Sequence, residues 1–161
     1  MGVGKSTVGP LLAERCSLDF KDADHFFEIR KGMTVTEFFR TQGEPQFREI
    51  EHQLVRELVQ GKGRVVALGG GALLTAGTSE LLKGTGRLIY LKASVPSLMS
   101  RLSLSLENRP LLKEFDSEER ENQIQDLLKR RSSFYEDADF TFDTDCKSPE
   151  EIVNEIVKRI L

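Results

Sequence analysis

The chain opens on Gly2-Val3-Gly4-Lys5-Ser6-Thr7, residue types suited to gripping phosphates. This is the second half of the pattern G-x-x-x-x-G-K-[ST]. Glycines let successive backbone N–H groups turn inward around phosphate oxygens. A following helix points its positive N-terminus at the same anion. Lys5 is placed to reach the β- and γ-phosphates of a nucleotide, and the Ser6 hydroxyl to ligate Mg²⁺. The same residues fit the loose myristoylation pattern M-G-x-x-x-S, but a phosphate loop explains more of them. The pattern's first glycine, and the strand that feeds such a loop, would fall before Met1.

Further candidates lie downstream. Asp22-Ala23-Asp24 is a weak signal alone, because D-x-D often caps a helix, but it follows a strand-like run soon after the loop helix. A carboxylate there can hold Mg²⁺ through water or orient a hydroxyl nucleophile. Asp143-Thr144-Asp145 reads as strand end and turn. Gly69-Gly70-Gly71 is either a plain turn or a backbone surface that a small ligand approaches closely. Arg48 follows core-facing Phe47, a place where arginine is usually solvated. Arg109, beside Pro110, looks like a loop residue able to close over phosphate. Arg130 and Arg131 face about 100° apart on a helix and cannot share one role. His25 and His52 have no partner at metal-ligand spacing and read as structural or surface residues.

Positioning these groups takes an alternation of strands and helices. Val8, Leu11 and Leu12 form the apolar stripe of the loop helix. A strand is expected over 18–21, a capped helix from Thr34 to near Gly43, and a longer helix after Pro45 that ends at Gly61 and Gly63. Strands follow over 64–68, 87–91 and 140–142, with helices over 78–83, 94–104, 117–135 and from Ser148 onward. The stretch 106–116 has no period and reads as a loop. Strands alternating with helices imply right-handed βαβ units, hence an α/β fold with a parallel sheet covered by helices. Ligands bind such sheets at the carboxyl ends of strands, where Asp22, Asp24 and the three glycines sit.

Composition narrows the class. With 161 residues one domain, 1–161, is expected and a second is not. The 23 basic and 26 acidic residues give −3, which argues against a general nucleic-acid binder. No apolar run approaches the roughly 18 residues that cross a membrane. Cys16 and Cys146 lie far apart with no C-x-x-C, so neither a metal knuckle nor a disulfide framework is indicated. A compact, cytoplasmic, enzyme-sized domain is the expectation; a monomer is expected as well, on grounds other than composition.

Taken together, Gly4-Lys5-Ser6-Thr7, Phe20 to Asp24, Gly43-Glu44 with Phe47-Arg48, Gly69 to Gly71, Arg109-Pro110-Leu111-Leu112, and Arg131 four before Tyr135 resemble the shikimate kinase family in order and spacing. The resemblance covers essentially the whole chain. It implies a P-loop kinase-like parallel sheet and ATP-dependent phosphorylation of the shikimate 3-hydroxyl, a step of chorismate and aromatic amino-acid biosynthesis, with Mg²⁺ as cofactor. It makes Gly2 to Thr7 the ATP site and Asp24 the residue that assists deprotonation of the hydroxyl. Arg48 and Arg131 become the clamp on the substrate carboxylate, and Gly69 to Gly71 the contacts to ring hydroxyls. Arg109 becomes the arginine of a lid over about 105–116, Asp22 a metal residue acting through water, and Lys147 part of the adenine-flanking loop.

The resemblance also implies the strand order 2-3-1-4-5, with its first strand absent from the chain as written. That strand is central, so its absence is expected to leave two facing edges and a slot through the core. Either the natural chain begins roughly ten residues upstream or this is a destabilised fragment. The rival functions are a gluconate or nucleoside monophosphate kinase, or a catalytically impaired relative that binds without turnover.

Overall fold

The computed structural model describes residues 2–103 and 117–160. Gly2 and Gly4 take φ of 73° and 101°, a left-handed region that side-chain-bearing residues rarely adopt. Directly after them α1 (Lys5–Arg15) begins, with Val8, Gly9, Leu12 and Ala13 buried. It leads to β1 (Asp19–Asp22), α2 (Ala23–Lys31), α3 (Val35–Gln42), α4 (Glu44–Val59) and β2 (Arg64–Ala67). A 3-10 turn (Ala72–Leu74) and α5 (Thr78–Lys83) precede β3 (Ile89–Lys92) and α6 (Val95–Ser103). The described chain resumes with α7 (Ser117–Glu136), β4 (Phe140–Asp143) and α8 (Pro149–Ile160). The expected loop over 106–116, including Arg109, lies outside the described residues.

Local chemistry explains most of these ends. Thr34 caps α3 through the Glu37 N–H at 3.2 Å, and Glu37 accepts from the Thr34 N–H at 2.9 Å, a reciprocal capping box. Ser148 and Glu151 repeat it at α8, at 3.2 and 2.7 Å. Helix α2 is the element the sequence reading omits. Asp22 Oδ1 caps it by accepting from the N–H groups of Asp24 (3.0 Å) and His25 (3.3 Å). Its buried face is only Ala23 and Phe27, too short a stripe to announce a helix.

The strands pair as two parallel ribbons. Strand β1 lies on β2 with Asp19 opposite Arg64 and Asp22 opposite Ala67, and β3 lies on β4 with Ile89 opposite Phe140. Between the ribbons runs an apolar cavity of about 440 Å³, lined among others by Val8, Leu12, Val65, Ala67, Ile89 and Leu91. The cavity leaves Val65, Ile89 and Leu91 only half-buried.

Three apolar clusters hold the helices. Val8, Leu12, Phe142, Ile152, Val153 and Ile156 join α1, β4 and α8. Leu98, Leu102 and Ile124 join α6 to α7. Phe27, Phe38, Phe47 and Leu54 join α2, α3 and α4. Phe27 meets Phe38 and Phe47 edge-on, with centroids 5.1 and 4.9 Å away. Among the described residues no helix is long and apolar enough to cross a membrane.

Because Phe27 is 1% exposed and ties three helices together, Phe27→Ala is expected to cost about 3–5 kcal/mol of unfolding free energy, read from urea titration. A loss under about 1 kcal/mol would show that this aromatic cluster does not anchor α2.

Candidate active site

The phosphate loop closes onto α1 through the Gly4 carbonyl, which accepts from the N–H groups of Thr7 (3.0 Å) and Val8 (2.8 Å). That bonding leaves the first amides of the helix at its positive end. Half-buried Lys5 lies close enough to Asp24 to draw its carboxyl pKa downward. The Ser6 hydroxyl donates to Asp22 Oδ2 at 3.4 Å. Asp22 therefore divides its oxygens: Oδ1 caps α2 and Oδ2 faces the loop. Ser6 and Asp22 are hard oxygen donors of the kind Mg²⁺ takes, which it supplements with water and phosphate oxygens. Among the described residues no group of three or more His, Cys, Asp or Glu could hold a metal alone. The Ser6 and Asp22 oxygens fit a magnesium ion whose remaining ligands are water and phosphate oxygens.

The second half of the site is built around Gly69 to Gly71, at the carboxyl end of β2. A Cβ on Gly69 would collide with Glu51 Oε1 and come within 2.9 Å of Asp24 Oδ1. A Cβ on Gly71 would collide with the Arg48 guanidinium. The Gly70 carbonyl accepts from Arg131 Nη1 at 2.8 Å and from the Tyr135 hydroxyl. Neighbouring Arg130 is exposed, as the 100° offset requires. Asp24, Arg48 and Arg131, from three different helices, thus converge on one turn.

Arg48 is engaged but exchangeable. Nη1 donates to Glu51 Oε2 at 2.6 Å, while Nε and Nη2 donate to Glu44 Oε1 at 3.1 and 2.8 Å. Its cation lies 5.2 Å from the centroid of Phe47. Glu44 is 57% exposed and Glu51 only 5%. The outer ion pair is a weak one that another carboxylate can replace, whereas the inner pair is part of the core.

Glu51 escaped the sequence reading. Its signal was a charged residue four after Phe47 and three before Leu54, on the apolar face of α4. Its Oε1 is buried with no hydrogen-bond partner among the described residues. Burial raises the Glu51 pKa above the ordinary glutamate value, with Arg48 opposing. Asp24 is also raised, first by desolvation from the protein atoms around it and then by Asp22, yet by accessible surface the residue is exposed.

A second omission is Arg101. It donates to the Thr144 hydroxyl at 3.0 Å, to the Thr144 carbonyl at 2.6 Å and to the Val3 carbonyl at 3.4 Å. It thereby ties the loop after β4 to the phosphate loop, and nothing local in sequence announces it. Lys147, on that β4–α8 loop, pairs with Glu155 at 2.8 Å. His52 binds the buried Thr78 hydroxyl at 2.8 Å and His25 is exposed, so neither histidine joins the site.

A phosphate loop opening a helix, an acid and two guanidinium groups at strand ends, and parallel strands flanked by helices define a P-loop phosphotransferase acting on a small molecule. The shikimate kinase family model matches residues 1–161. A shikimate kinase of Geobacter sulfurreducens is 42% identical over 97% of this chain and 84% of its own. One from Thermodesulfovibrio yellowstonii is 39% identical over 98% of this chain and 89% of its own. The crystal structure of the Bacteroides thetaiotaomicron shikimate kinase superposes with TM-score 0.93 at 30% identity, covering 98% and 92% of the two chains. That of the Acinetobacter baumannii enzyme in complex with shikimate gives 0.89 at 36% identity, covering 98% and 87%. The chain belongs to the shikimate kinase family, whose members are ATP-dependent phosphotransferases.

Folding raises the Asp24 pKa, so its ionised form destabilises the native state. That penalty is absent below the free-carboxylate value of 3.8, grows as pH rises through the folded pKa, and is complete above it. In nucleotide-free protein Asp24→Asn is expected to raise the melting temperature at pH 7, with the gain vanishing as pH falls toward 3.8. A lower melting temperature at pH 7 would contradict this electrostatic picture.

Proposed function

We propose that this chain transfers the γ-phosphoryl group of ATP to the 3-hydroxyl of shikimate, giving shikimate 3-phosphate and ADP, a step of aromatic amino-acid biosynthesis. The observation that carries this reading is the convergence of Asp24, Arg48 and Arg131 on the glycine turn beside the phosphate loop. A carboxylic acid bearing several hydroxyls needs such a set: guanidinium forks for its carboxylate and an acid group for its hydroxyls.

In this reading Gly2 to Thr7 cradle the phosphates and Lys5 neutralises the β- and γ-phosphate oxygens. Ser6, and Asp22 through water, would hold Mg²⁺, which when bound shields phosphate charge. Asp24 takes the proton of the attacking hydroxyl as the oxygen–phosphorus bond forms and the bond to ADP breaks. Its raised pKa suits a base for so weak an acid. Arg131 and Arg48 grip the carboxylate, the latter by exchanging Glu44. Gly69 to Gly71 meet the ring hydroxyls, Lys147 lies in the adenine-flanking loop, and Arg109 closes over the transferring group. One domain, acting as a cytoplasmic monomer, completes the reading. Gluconate offers no ring hydroxyls to the glycine turn, and a nucleoside monophosphate offers no carboxylate to the arginines.

A coupled ADP assay tests the assignment. Shikimate with Mg-ATP is expected to turn over far faster than gluconate or a nucleoside monophosphate, and equal turnover of gluconate would sink it. The rival reading, binding without turnover, would appear as calorimetric shikimate binding with no ADP formed.

The variants separate roles. Lys5→Ala is expected to impair both ATP use and rate, whereas Asp24→Asn lowers kcat by about 10²-fold or more with ATP binding nearly intact. Arg48→Lys and Arg131→Lys are expected to weaken shikimate binding and spare ATP, because an ammonium cannot form a bidentate fork. Arg130→Lys serves as the neutral control. Normal turnover in Asp24→Asn would remove that residue from the mechanism.

A further inference from the structure

Tyr135 and Arg131 lie four residues apart on α7, hence on one face of it, and both donate to the Gly70 carbonyl. The neighbouring carbonyls of the turn are used differently: Gly69 accepts from the Ala72 N–H at 3.1 Å and Gly71 from the Leu74 N–H at 3.0 Å. Three consecutive glycines have no side chains to fix their backbone, so the Gly70–Gly71 peptide depends on what its carbonyl meets. That carbonyl and the Gly71 N–H are opposite ends of one rigid plane, and Gly71 is where the Arg48 guanidinium packs.

We propose that Tyr135 is a positioning residue for the acceptor site. Its hydroxyl holds the Gly70 carbonyl so that Arg131 can turn its guanidinium to the substrate carboxylate without releasing the glycine turn. This rests on the reading of Arg131 given above. A carbonyl oxygen has two lone pairs, enough for both donors in the unliganded protein. When a carboxylate competes for Arg131, the charged acceptor draws the guanidinium more strongly than a neutral carbonyl does. Tyr135, which carries no charge, then keeps the turn in place. The phenol ring is held independently by Tyr90 on β3, with centroids 4.9 Å apart at 30°. Removing the hydroxyl alone therefore leaves the ring's packing intact.

The experiment compares Tyr135→Phe with the parent chain by calorimetric titration of shikimate without nucleotide, by steady-state kinetics and by thermal unfolding. Tyr135→Phe is expected to weaken shikimate affinity and raise its KM by about 5–10-fold, with kcat changed less than about 3-fold and the ATP KM unchanged. Tyr90→Phe is expected to leave shikimate affinity as it is. The Tyr135→Phe/Arg131→Lys double variant is expected to lose less than the product of the single losses, because both act on one carbonyl.

Unchanged shikimate affinity in Tyr135→Phe, alongside weakened affinity in Arg131→Lys, would overturn the proposal and leave the site reading standing. Parallel losses of shikimate and ATP affinity with a lowered melting temperature would make the hydroxyl merely structural and overturn it too. Intact shikimate affinity in Arg131→Lys would instead overturn the parent reading of Arg131.

Discussion

The absence of side chains at Gly69 and Gly71 is the constraint on which the arrangement of this site depends. A single methyl group at either position would occupy space now held by Glu51 and Asp24, or by the Arg48 guanidinium. The turn does more than leave room, because its middle carbonyl draws in Arg131 and Tyr135 from α7. Groups far apart in the chain are thus referenced to three residues at the end of β2. Parallel strands place such turns at their carboxyl ends, where helix N-termini also gather, so the Gly2–Thr7 loop and the glycine turn share one edge of the fold.

The same edge concentrates unfavourable electrostatics. Asp24 lies within electrostatic reach of both Asp22 and Glu51, and desolvation raises the pKa of both Asp24 and Glu51. Arg48 counters the burial of Glu51, and Lys5 partly counters the charge on Asp24. Apolar replacements of buried ion pairs are often neutral or stabilising, so this cluster is not what holds the fold together. Asp22 illustrates the economy of the layout: one carboxylate caps the helix that carries Asp24 and also meets the Ser6 hydroxyl.

Stability is drawn from elsewhere. The aromatic cluster under α2 to α4 fixes the helices that carry Asp24 and Arg48, and the α1–α8–β4 cluster fixes the helix behind the phosphate loop. The apolar cavity lies between the two ribbons, and its walls include both phosphate-loop and strand residues. Its lining forgoes the dispersion contacts that close packing supplies. Arg101 adds a polar tie on the α1–β4 side by linking Val3 to Thr144.

Much of this was written locally in the chain. The phosphate loop, the capping boxes at Thr34 and Ser148, and the apolar stripes of α4 and α8 follow from short-range spacing, because caps and helical faces are decided within a few residues. The Arg130–Arg131 distinction was equally legible, since helical geometry alone separates their directions. Helix α2 was not, because its buried face is two residues long and its cap was already assigned to chemistry. Glu51 hid as one charge on an apolar face. Arg101 and the shared Gly70 carbonyl arise only where separate elements meet, and no local pattern encodes a contact between residues 61 or 98 positions apart. Sequence determined which groups were available and on which element each would ride. The packing of three helices against one side-chain-free turn decided which of them face each other, because only there do long-range sterics and burial set distance and charge.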